Sequence, residues 1–317
     1  MATISVDINE AKSYLEKGEA IGIPTETVYG LAANALDKNA VAKIFEIKNR
    51  PTFDPLIVHC ASIDDIQKYV IDFPTDLRNL ANKFMPGAFT ILLPKNNLIP
   101  SLVCAGLERV AFRVPNHPLT IKLLQSLSFP LAAPSANPFG YISPTTAYHV
   151  EKQLGNKIPY ILDGGKCDIG IESTIVGIEN NQITVHRLGG LSIDELEKEI
   201  GTIEYNINYS SNPIAPGQIK SHYAPKKAFY VGNIDDLIKL QTDKKIGLLN
   251  FNNKIYNNIE FELNLSKNGN FNEAATNLFD YMRILDESDV DVIIADYVPN
   301  IGLGKAINDR LKRACTV

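Results

Sequence analysis

Hydrophobic residues recur along the first 200 residues at two spacings, which predict helices and strands in turn. Val41, Ile44 and Ile47 lie at helical spacing, so the surrounding residues 38–50 are predicted to form a helix that Pro51 ends. Further helices are predicted at residues 6–17, 63–70, 75–84, 117–127 and 145–154. Short apolar runs predict buried strands at residues 19–23, 55–60, 88–94, 109–115, 158–163, 173–178 and 182–189. This mixture predicts an α/β domain with a mixed sheet.

The pattern changes after residue 204. Residues 205–225 contain Asn, Ser, Pro and Gly without an apolar period, which is typical of a linker. Beyond them, strand-like segments 226–232, 244–251 and 290–298 alternate with predicted helices at 233–241, 271–288 and 303–314. That alternation predicts a small, doubly wound, Rossmann-like unit. Because 317 residues exceed the usual size of one core, we predict domains at 1–204 and 226–317, joined by the linker 205–225.

Charge and cysteine content exclude several functional classes. The net charge is −5, and residues 1–210 carry all of it, with 18 Lys and Arg against 23 Asp and Glu. Bulk charge therefore argues against a basic nucleic-acid-binding domain, although a local basic groove remains open. The four cysteines are widely separated, which argues against a structural zinc site or a disulfide framework. Neither a signal peptide nor an apolar membrane-spanning stretch is evident, so a cytoplasmic protein without membrane contact is expected.

Polar residues at the ends of predicted elements are the candidates for chemistry, because active sites of α/β folds tend to lie there. Several cations among them would converge with hydroxyl groups, which suggests an anionic ligand carrying carboxylate or phosphate. Each also has an ordinary structural explanation, such as a helix cap, a turn or a solvated face. The candidates are Thr25, Thr27, Lys48, Arg50, His59, Arg109, Arg113, Ser135, Asn137, Ser143, Ser173 and Arg187.

The segment Lys48-Asn49-Arg50-Pro51 is the most informative of these. Residues two apart on a helix point in different directions, but Pro51 disfavours the helical conformation of Arg50. An extended Arg50 can then point to the same site as Lys48. The alternative is that both cations only complement the dipole at the helix C-terminus, for about 0.3–1 kcal/mol.

The order of several motifs resembles the YrdC/TsaC family of L-threonylcarbamoyladenylate synthases. The matching segments are IGIPTETVYGLAANA, IFEIKNRPTFDPLIVH, VAFRVPNHP, LAAPSANPFGYISPT, ESTIVGI and RLGG. The segment APGQIKSHYAP and the residues after it resemble the longer, two-domain form of that family. The resemblance implies a YrdC-like twisted mixed sheet with helices around an open basic cleft, plus a smaller Rossmann-like C-terminal domain.

The resemblance also implies a reaction. L-threonine, bicarbonate or CO₂, and ATP would give threonylcarbamoyl-adenylate and pyrophosphate, with Mg²⁺ accompanying ATP and no metal ligands assigned on the protein. The adenylate would pass to downstream proteins that modify tRNA, and a weak contact with RNA is kept open. Two alternatives remain: an RNA-binding module without catalysis, and a carbamoyl transferase. The carbamoyl transferase alternative is the weaker enzyme hypothesis, because this chain lacks the acylphosphatase and zinc-finger segments that hydrogenase maturation proteins carry.

Residue roles follow from the motifs that match. The family's signature set corresponds to Lys48, Arg50, Ser135 and Asn137, expected around the triphosphate and carbamate. The implied L-threonine contacts are Thr27, His59, Arg113, Ser135 and Ser173. The implied ATP contacts are Arg50, Asp54, Arg109, Ala133 through its backbone, Ser143, Arg187, His222 and Tyr223. The last two, in the linker, resemble residues that fold over the nucleotide as a lid.

Several positions depart from the family pattern or stay unplaced. Asp54 stands where the family usually has Asn, and an acid beside phosphates is repulsive unless it binds magnesium or turns away. Arg109 replaces a common Thr or Ser and could partly balance Asp54, while Lys220 could replace a cation missing from the linker. Glu26 either caps the following segment or orients a cation such as Lys48.

Overall fold

The computed structural model describes residues 1–205, 207, 213–217, 222–251 and 253–315. The helices are α1 (Ile8–Glu16), α2 (Lys38–Lys48), α3 (Ile63–Gln67), α4 (Thr75–Phe84), α5 (Pro118–Ser126), α6 (Ala147–Leu154), α7 (Ile193–Ile200), α8 (Ile234–Leu240), α9 (Phe271–Glu287) and α10 (Gly304–Ala314). The strands are β1 (Thr3–Ser5), β2 (Ile21–Ile23), β3 (Gly30–Asn34), β4 (Ile57–His59), β5 (Phe89–Pro94), β6 (Arg109–Arg113), β7 (Leu131–Ala132), β8 (Tyr160–Leu162), β9 (Thr174–Glu179), β10 (Gln182–Arg187), β11 (Glu204–Tyr205), β12 (Ala228–Val231), β13 (Ile246–Asn250), β14 (Phe261–Asn264) and β15 (Val292–Ala295).

The first eleven strands form one mixed sheet in the order β1-β8-β2-β3-β7-β4-β6-β5-β9-β10-β11. Strands β4 and β6 are parallel, whereas β2 pairs antiparallel with β3 and β5 pairs antiparallel with β6. Side chains alternate between the two faces of a strand. Val58 and Phe112 accordingly face the largest apolar core, which α2 and α4 help to cover, while Ile57 and Ala111 belong to a separate small cluster on the other side.

The last four strands form a second, all-parallel sheet in the order β12-β15-β13-β14. Its alternate residues pack on helices on both faces. Phe229 and Ile293 pack in the core with α9 and α10, while Leu248 and Ile294 pack with α8. This is the doubly wound, Rossmann-like arrangement that the sequence predicts, and the predicted α/β fold class is confirmed.

Most predicted elements agree with the structure to within a few residues, but short strands were missed. β1, β7, β11 and β14 have two to four residues, too few to establish an alternating pattern. β3 is also absent from the predicted strands, although its Ala32 and Ala33 are fully buried strand residues. No helix of the described residues is long and apolar enough to cross a membrane.

The second unit packs directly on the first. Val28, Ile142 and Ile171 share an apolar cluster with residues of α9 and α10. Arg283 of α9 is 2% exposed and donates hydrogen bonds to the backbone carbonyl oxygens of Ile142 and Ser143. The contact therefore joins the C-terminal unit to the loops that follow β2 and β7.

Candidate active site

A cavity that opens to solvent lies over the face of the large sheet that carries Ile57. The described residues that line it are Thr25, Thr27, Val28, Gly30, Arg50, Pro55, Leu56, Ile57, His59, Arg113, Ala133, Pro134, Ser135, Glu172, Arg187, Pro216, Gly217, His222 and Tyr223. The site thus extends over the sheet face and the loops around it, beyond the strand ends where we expected it.

The two threonines after β2 have different tasks. The Thr25 hydroxyl oxygen accepts hydrogen bonds from the backbone N–H groups of Thr27 and Val28, both at 3.2 Å, which closes the turn. The Thr25 hydroxyl also donates to the Val28 carbonyl oxygen at 2.6 Å. Because a hydroxyl has one proton, Thr27 is the donor in the 2.8 Å contact between the two hydroxyls. Thr27 Oγ1 therefore keeps acceptor capacity at the cavity.

Strands β4 and β6 bring His59 and Arg113 together, because these two residues are register partners at the ends of parallel neighbours. Burial and the Arg113 guanidinium lower the pKa of His59 to about 3, so the imidazole is neutral near pH 7. Arg113 Nη2 lies 2.7 Å from Glu26 Oε1, and both side chains are about 95% buried. Glu26 thus orients a cation, as one of our alternatives held, but the cation is Arg113 and not Lys48.

Helix α2 ends differently from the expectation based on Pro51. Asn49 adopts a left-handed conformation with φ 53°, and the backbone N–H groups of Asn49 and Arg50 return to carbonyl oxygens of the last helical turn. This ending turns Arg50 toward the cavity, where Nη2 lies 2.8 Å from the Asp54 carboxylate and donates to the Pro55 carbonyl oxygen at 2.8 Å. Asp54 therefore turns to Arg50 and is not itself part of the lining.

Lys48 and Asn137 are placed beneath the lining and not in it. Lys48 is 1% exposed, and Nζ donates to the backbone carbonyl oxygens of Ser135 and Asn137 at 2.6 and 2.5 Å. The Asn137 amide donates to the carbonyl oxygens of Pro138 and Tyr141. Burial and the Arg50 charge hold the pKa of Lys48 well below its usual value. The positions of these two residues favour support of the Ser135 loop over the expected contact with triphosphate and carbamate.

Arg187 reaches the cavity through an irregularity in β10. The register of β10 against β9 shifts between Val185 and Arg187, and such bulges re-aim side chains. Arg187 Nε and Nη2 donate to the Ser173 carbonyl oxygen at 3.0 and 2.8 Å, and Nη2 also donates to the Ser173 hydroxyl oxygen at 3.0 Å. Ser173 is 1% exposed and lies outside the lining, so its position favours holding Arg187 over contacting a ligand.

Glu172 is a lining residue that our sequence reasoning missed. Its Oε1 accepts a hydrogen bond from the Ser143 hydroxyl at 2.6 Å, and its Oε2 lies 3.1 Å from Nε and Nη2 of Arg310 on α10. Burial raises the pKa of Glu172, but Arg310, Arg187 and Ser143 together lower it below its usual value. The carboxylate is therefore charged. Its place beside Ser173 in the ESTIV motif was the available signal.

The linker lines the opposite wall of the cavity. Pro216 and Gly217 lie next to Arg187, whose Nη1 is 3.4 Å from the Pro216 carbonyl oxygen. The rings of His222 and Tyr223 are in edge contact with centroids 4.3 Å apart. Lys220, the other linker residue named above, lies outside the described residues.

Arg109 is not brought to the site. It lies at the end of β6 away from Arg113, pairs with Glu179 at 2.7 Å and donates to the Ile178 carbonyl oxygen at 3.2 Å. Its position supports neither contact with ATP nor the expected balance with Asp54, and Arg50 provides that balance. Of the predicted residues, the lining includes Thr25, Thr27, Arg50, His59, Arg113, Ala133, Ser135, Arg187, His222 and Tyr223. It does not include Lys48, Asp54, Arg109, Asn137, Ser143 or Ser173.

The described residues do not offer a dedicated metal site. They contain no group of three His, Cys, Asp or Glu residues placed to hold an ion. The carboxylates beside the cavity, Glu26, Asp54 and Glu172, are each paired with a buried arginine. This donor set does not fit a resident cation, whereas Mg²⁺ commonly arrives on substrate phosphates with most of its waters.

Known proteins are similar to this chain in both sequence and architecture. A family model described as "Telomere recombination" matches residues 13–189, and one described as "Threonylcarbamoyl-AMP synthase, C-terminal domain" matches residues 190–316. The chain is 37% identical to the threonylcarbamoyl-AMP synthase of Pyrococcus abyssi, over 97% of this chain and 93% of that protein. The protein of the same name from Bacillus subtilis is also 37% identical, over 99% and 94% of the two chains. The chain belongs to the threonylcarbamoyl-AMP synthase family.

The fold agrees with this membership over its whole length. The crystal structure of P. abyssi Sua5 complexed with L-threonine superimposes with a TM-score of 0.92 at 37% identity, covering 99% of this chain and 97% of that chain. The predicted two-domain form of the family is therefore confirmed.

Proposed function

We propose that this chain is a threonylcarbamoyl-AMP synthase, which converts L-threonine, bicarbonate or CO₂, and ATP into L-threonylcarbamoyladenylate and pyrophosphate. The observation that carries the proposal is the convergence of Arg50, Arg113 and Arg187 on one cavity that also presents hydroxyl groups and a neutral histidine. A reaction between a carbamate and a triphosphate brings two anions together, and it needs such cations. Family membership supports the same reaction.

We assign the L-threonine side to the cluster around β4 and β6. Arg113 is held by Glu26 and by the Gly87 carbonyl oxygen, and it presents a fixed guanidinium for a carboxylate. The acceptor capacity of Thr27 Oγ1 suits the ammonium or hydroxyl group of the amino acid. Ser135 lines the same cavity and adds a hydroxyl.

We assign the nucleotide side to Arg50, Arg187 and the linker wall, with Ala133 offering its backbone. The threonine ammonium and bicarbonate first give the carbamate, water and a proton. A carbamate oxygen then attacks the α-phosphorus, and the bond to the bridging oxygen of pyrophosphate breaks. The lowered pKa values of His59 and Glu172 make both weak bases near pH 7, so His59 acts by its position and Glu172 by its charge. The proton of carbamate formation accordingly passes to bicarbonate or water.

Further proposals accompany this function. Mg²⁺ would enter as part of the ATP substrate, and the adenylate would be consumed by downstream tRNA-modification proteins. A cytoplasmic location is in keeping with the free buried thiols of Cys60, Cys104 and Cys167. We also propose residues 1–204 as the catalytic domain, 205–225 as its lid-bearing linker and 226–317 as the Rossmann-like domain.

The test is pyrophosphate release from ATP, measured with and without L-threonine and bicarbonate. We expect release to require both, and the adenylate to be identified by mass spectrometry. Release that ignores L-threonine would contradict the synthase assignment. Tight RNA binding without turnover would instead support an RNA-binding module.

A further inference from the structure

Arg310 of α10 connects the C-terminal unit to the lining residue Glu172. Arg310 is fully buried, and two of its guanidinium nitrogens lie 3.1 Å from the same oxygen of Glu172. The third nitrogen donates to the Leu188 carbonyl oxygen at 2.7 Å and to Asp309 at 2.8 Å. The guanidinium is thus fixed on all sides, and it fixes the carboxylate of a lining residue in turn.

The same helix also holds the linker wall. The guanidinium carbons of Arg310 and Arg313 lie 5.4 and 4.8 Å from the centroid of the Tyr223 ring, within cation–π distance. Tyr223 stacks on Phe279 of α9 with centroids 5.3 Å apart. Its backbone has φ 71°, a left-handed conformation that a tyrosine keeps only where its surroundings enforce it.

Arg283 shows what an interface arginine without this role looks like. It is almost as deeply buried as Arg310, but its partners are the carbonyl oxygens of Ile142 and Ser143, the side chain of Gln153 and the ring of Tyr141. None of these residues lines the cavity, whereas Arg310 contacts two lining residues.

We propose that Arg310 is a positioning residue for the nucleotide side of the site, acting through Glu172 and Tyr223. The C-terminal unit would then help to set the geometry of the catalytic site. This inference rests on the proposed synthase function. It assigns a role within that reaction to a residue 138 positions from Glu172 in sequence.

The test compares Arg310→Met and Arg310→Lys with Lys305→Met. Lys305 lies on the same helix and also crosses between the units, through a 3.1 Å ion pair with Asp194. It lies outside the cavity lining, which makes Lys305→Met the matched control. Each full-length variant is assayed for kcat and for KM toward ATP and L-threonine. Thermal unfolding and calorimetric L-threonine binding report on the folded fraction.

We expect Arg310→Met to lower kcat/KM for ATP by about 100-fold, since small misplacements of reacting groups have effects of that order. Arg310→Lys keeps the charge but loses the planar two-nitrogen contact, so we expect partial rescue, to about a 10-fold loss. The KM for L-threonine and L-threonine binding should stay within about 2-fold of wild type, and Lys305→Met should resemble wild type.

Equal losses toward ATP and L-threonine in Arg310→Lys would identify a purely structural arginine and overturn the inference. A fully active Arg310→Lys would also overturn it. Arg310→Lys decides the question if Arg310→Met folds poorly, because lysine still neutralises Glu172. If the wild type lacks L-threonine-dependent pyrophosphate release, the proposed function fails. If the wild type is active and the Arg310 variants are too, only the present inference fails.

Discussion

Two of the buried arginine–carboxylate pairs beside the cavity are built in opposite ways. Glu26 and Arg113 both belong to the large sheet and its loops, with a nitrogen–oxygen distance of 2.7 Å. Glu172 and Arg310 belong to different units, and their 3.1 Å contacts cross the interface. The first pair needs only the N-terminal unit to be correct. The second makes its half of the site depend on α10.

This contrast suggests a division of labour. In our assignment the L-threonine half is self-contained, whereas the nucleotide half takes its wall from the linker and its support from the C-terminal unit. The linker residue Ala215 is fully buried against Ile57 and Ala111, so the linker packs on the sheet face itself. Experiments that disrupt the nucleotide half should therefore impair the use of ATP while leaving L-threonine binding intact.

The largest effect is expected from ending the chain after residue 205. This removes His222, Tyr223 and Arg310 together, and we expect turnover to fall by more than about 1,000-fold. L-threonine binding, measured by calorimetry, should persist because Thr27 and Arg113 remain.

The truncation also exposes apolar residues such as Val28 and Ile142, so a full-length Tyr223→Ala variant serves as its control. That variant should lose ATP turnover while the C-terminal unit still covers Val28 and Ile142. An active truncated chain would show that the linker only tethers the two units.

Removing Arg50 should have the next largest effect. Loss of one preorganised donor at a developing charge typically lowers kcat by 10²- to 10³-fold, and we expect about that for Arg50→Ala. The structure adds a stability cost that the sequence did not suggest, because Asp54 would be left fully buried without its partner. Breaking a buried pair in this way costs about 3–5 kcal/mol.

The double variant Arg50→Ala/Asp54→Asn separates the two consequences. It removes the buried charge together with its partner, so stability measured by urea unfolding should largely recover. Turnover should remain low. Recovery of activity together with stability would take Arg50 out of the chemistry.

Replacing Glu26 by Gln tests the self-contained half. Arg113 would lose its charged partner but keep its hydrogen bond to the Gly87 carbonyl oxygen at 3.1 Å. We expect the KM for L-threonine to rise about 10-fold, the effect of roughly 1.4 kcal/mol, with the KM for ATP little changed.

The matched control for Glu26→Gln is Glu179→Gln. It removes the partner of Arg109, which lies at the other end of the same strand and outside the cavity. This pair is partly exposed, and such pairs contribute little. Equal effects of the two variants, or a shift in the KM for ATP alone, would contradict the assignment of Arg113 to L-threonine.

The sequence could predict those features of the fold and the site that depend on neighbouring residues, and not those that depend on contacts distant in sequence. The two-domain α/β fold and the approach of Arg50 and Arg113 to one site depend on periodicity, strand ends and motif order, which are local. The role of Lys48 could not be read in the same way, because its partners are backbone carbonyl oxygens about 90 residues away. A motif names a residue type without saying whether it faces the ligand or the loop behind it.

The same limit explains Glu172 and Arg310. Glu172 stands in the ESTIV motif and Arg310 in a predicted helix, but only the packing of α10 on the first unit brings them together. The conformation of Tyr223 could not be predicted either, because the HYAP motif does not indicate a left-handed tyrosine that stacks on Phe279.

The smallest expected effect concerns pH, and it involves one histidine from each half of the cavity. Burial lowers the pKa of His59 to about 3, and burial also holds the pKa of His222 well below 6.5. A histidine with a lowered folded-state pKa stays neutral while the unfolded chain takes up a proton. The stabilisation is therefore present above pH 6.5 and is lost as the pH falls from about 6.5 toward 3.

Each such histidine can steepen the pH dependence of the unfolding free energy by at most about 1.4 kcal/mol per pH unit. Urea unfolding of wild type and His59→Gln between pH 7 and pH 5 measures this slope. We expect the variant to show a shallower slope, by up to one proton, because glutamine does not titrate.

His222 differs if the linker can open without the sheet unfolding, since it would then gain its proton locally. In that case His222→Gln should leave the global slope near that of wild type while His59→Gln does not. An unchanged slope in His59→Gln would mean that the sheet half of the cavity does not hold a neutral histidine.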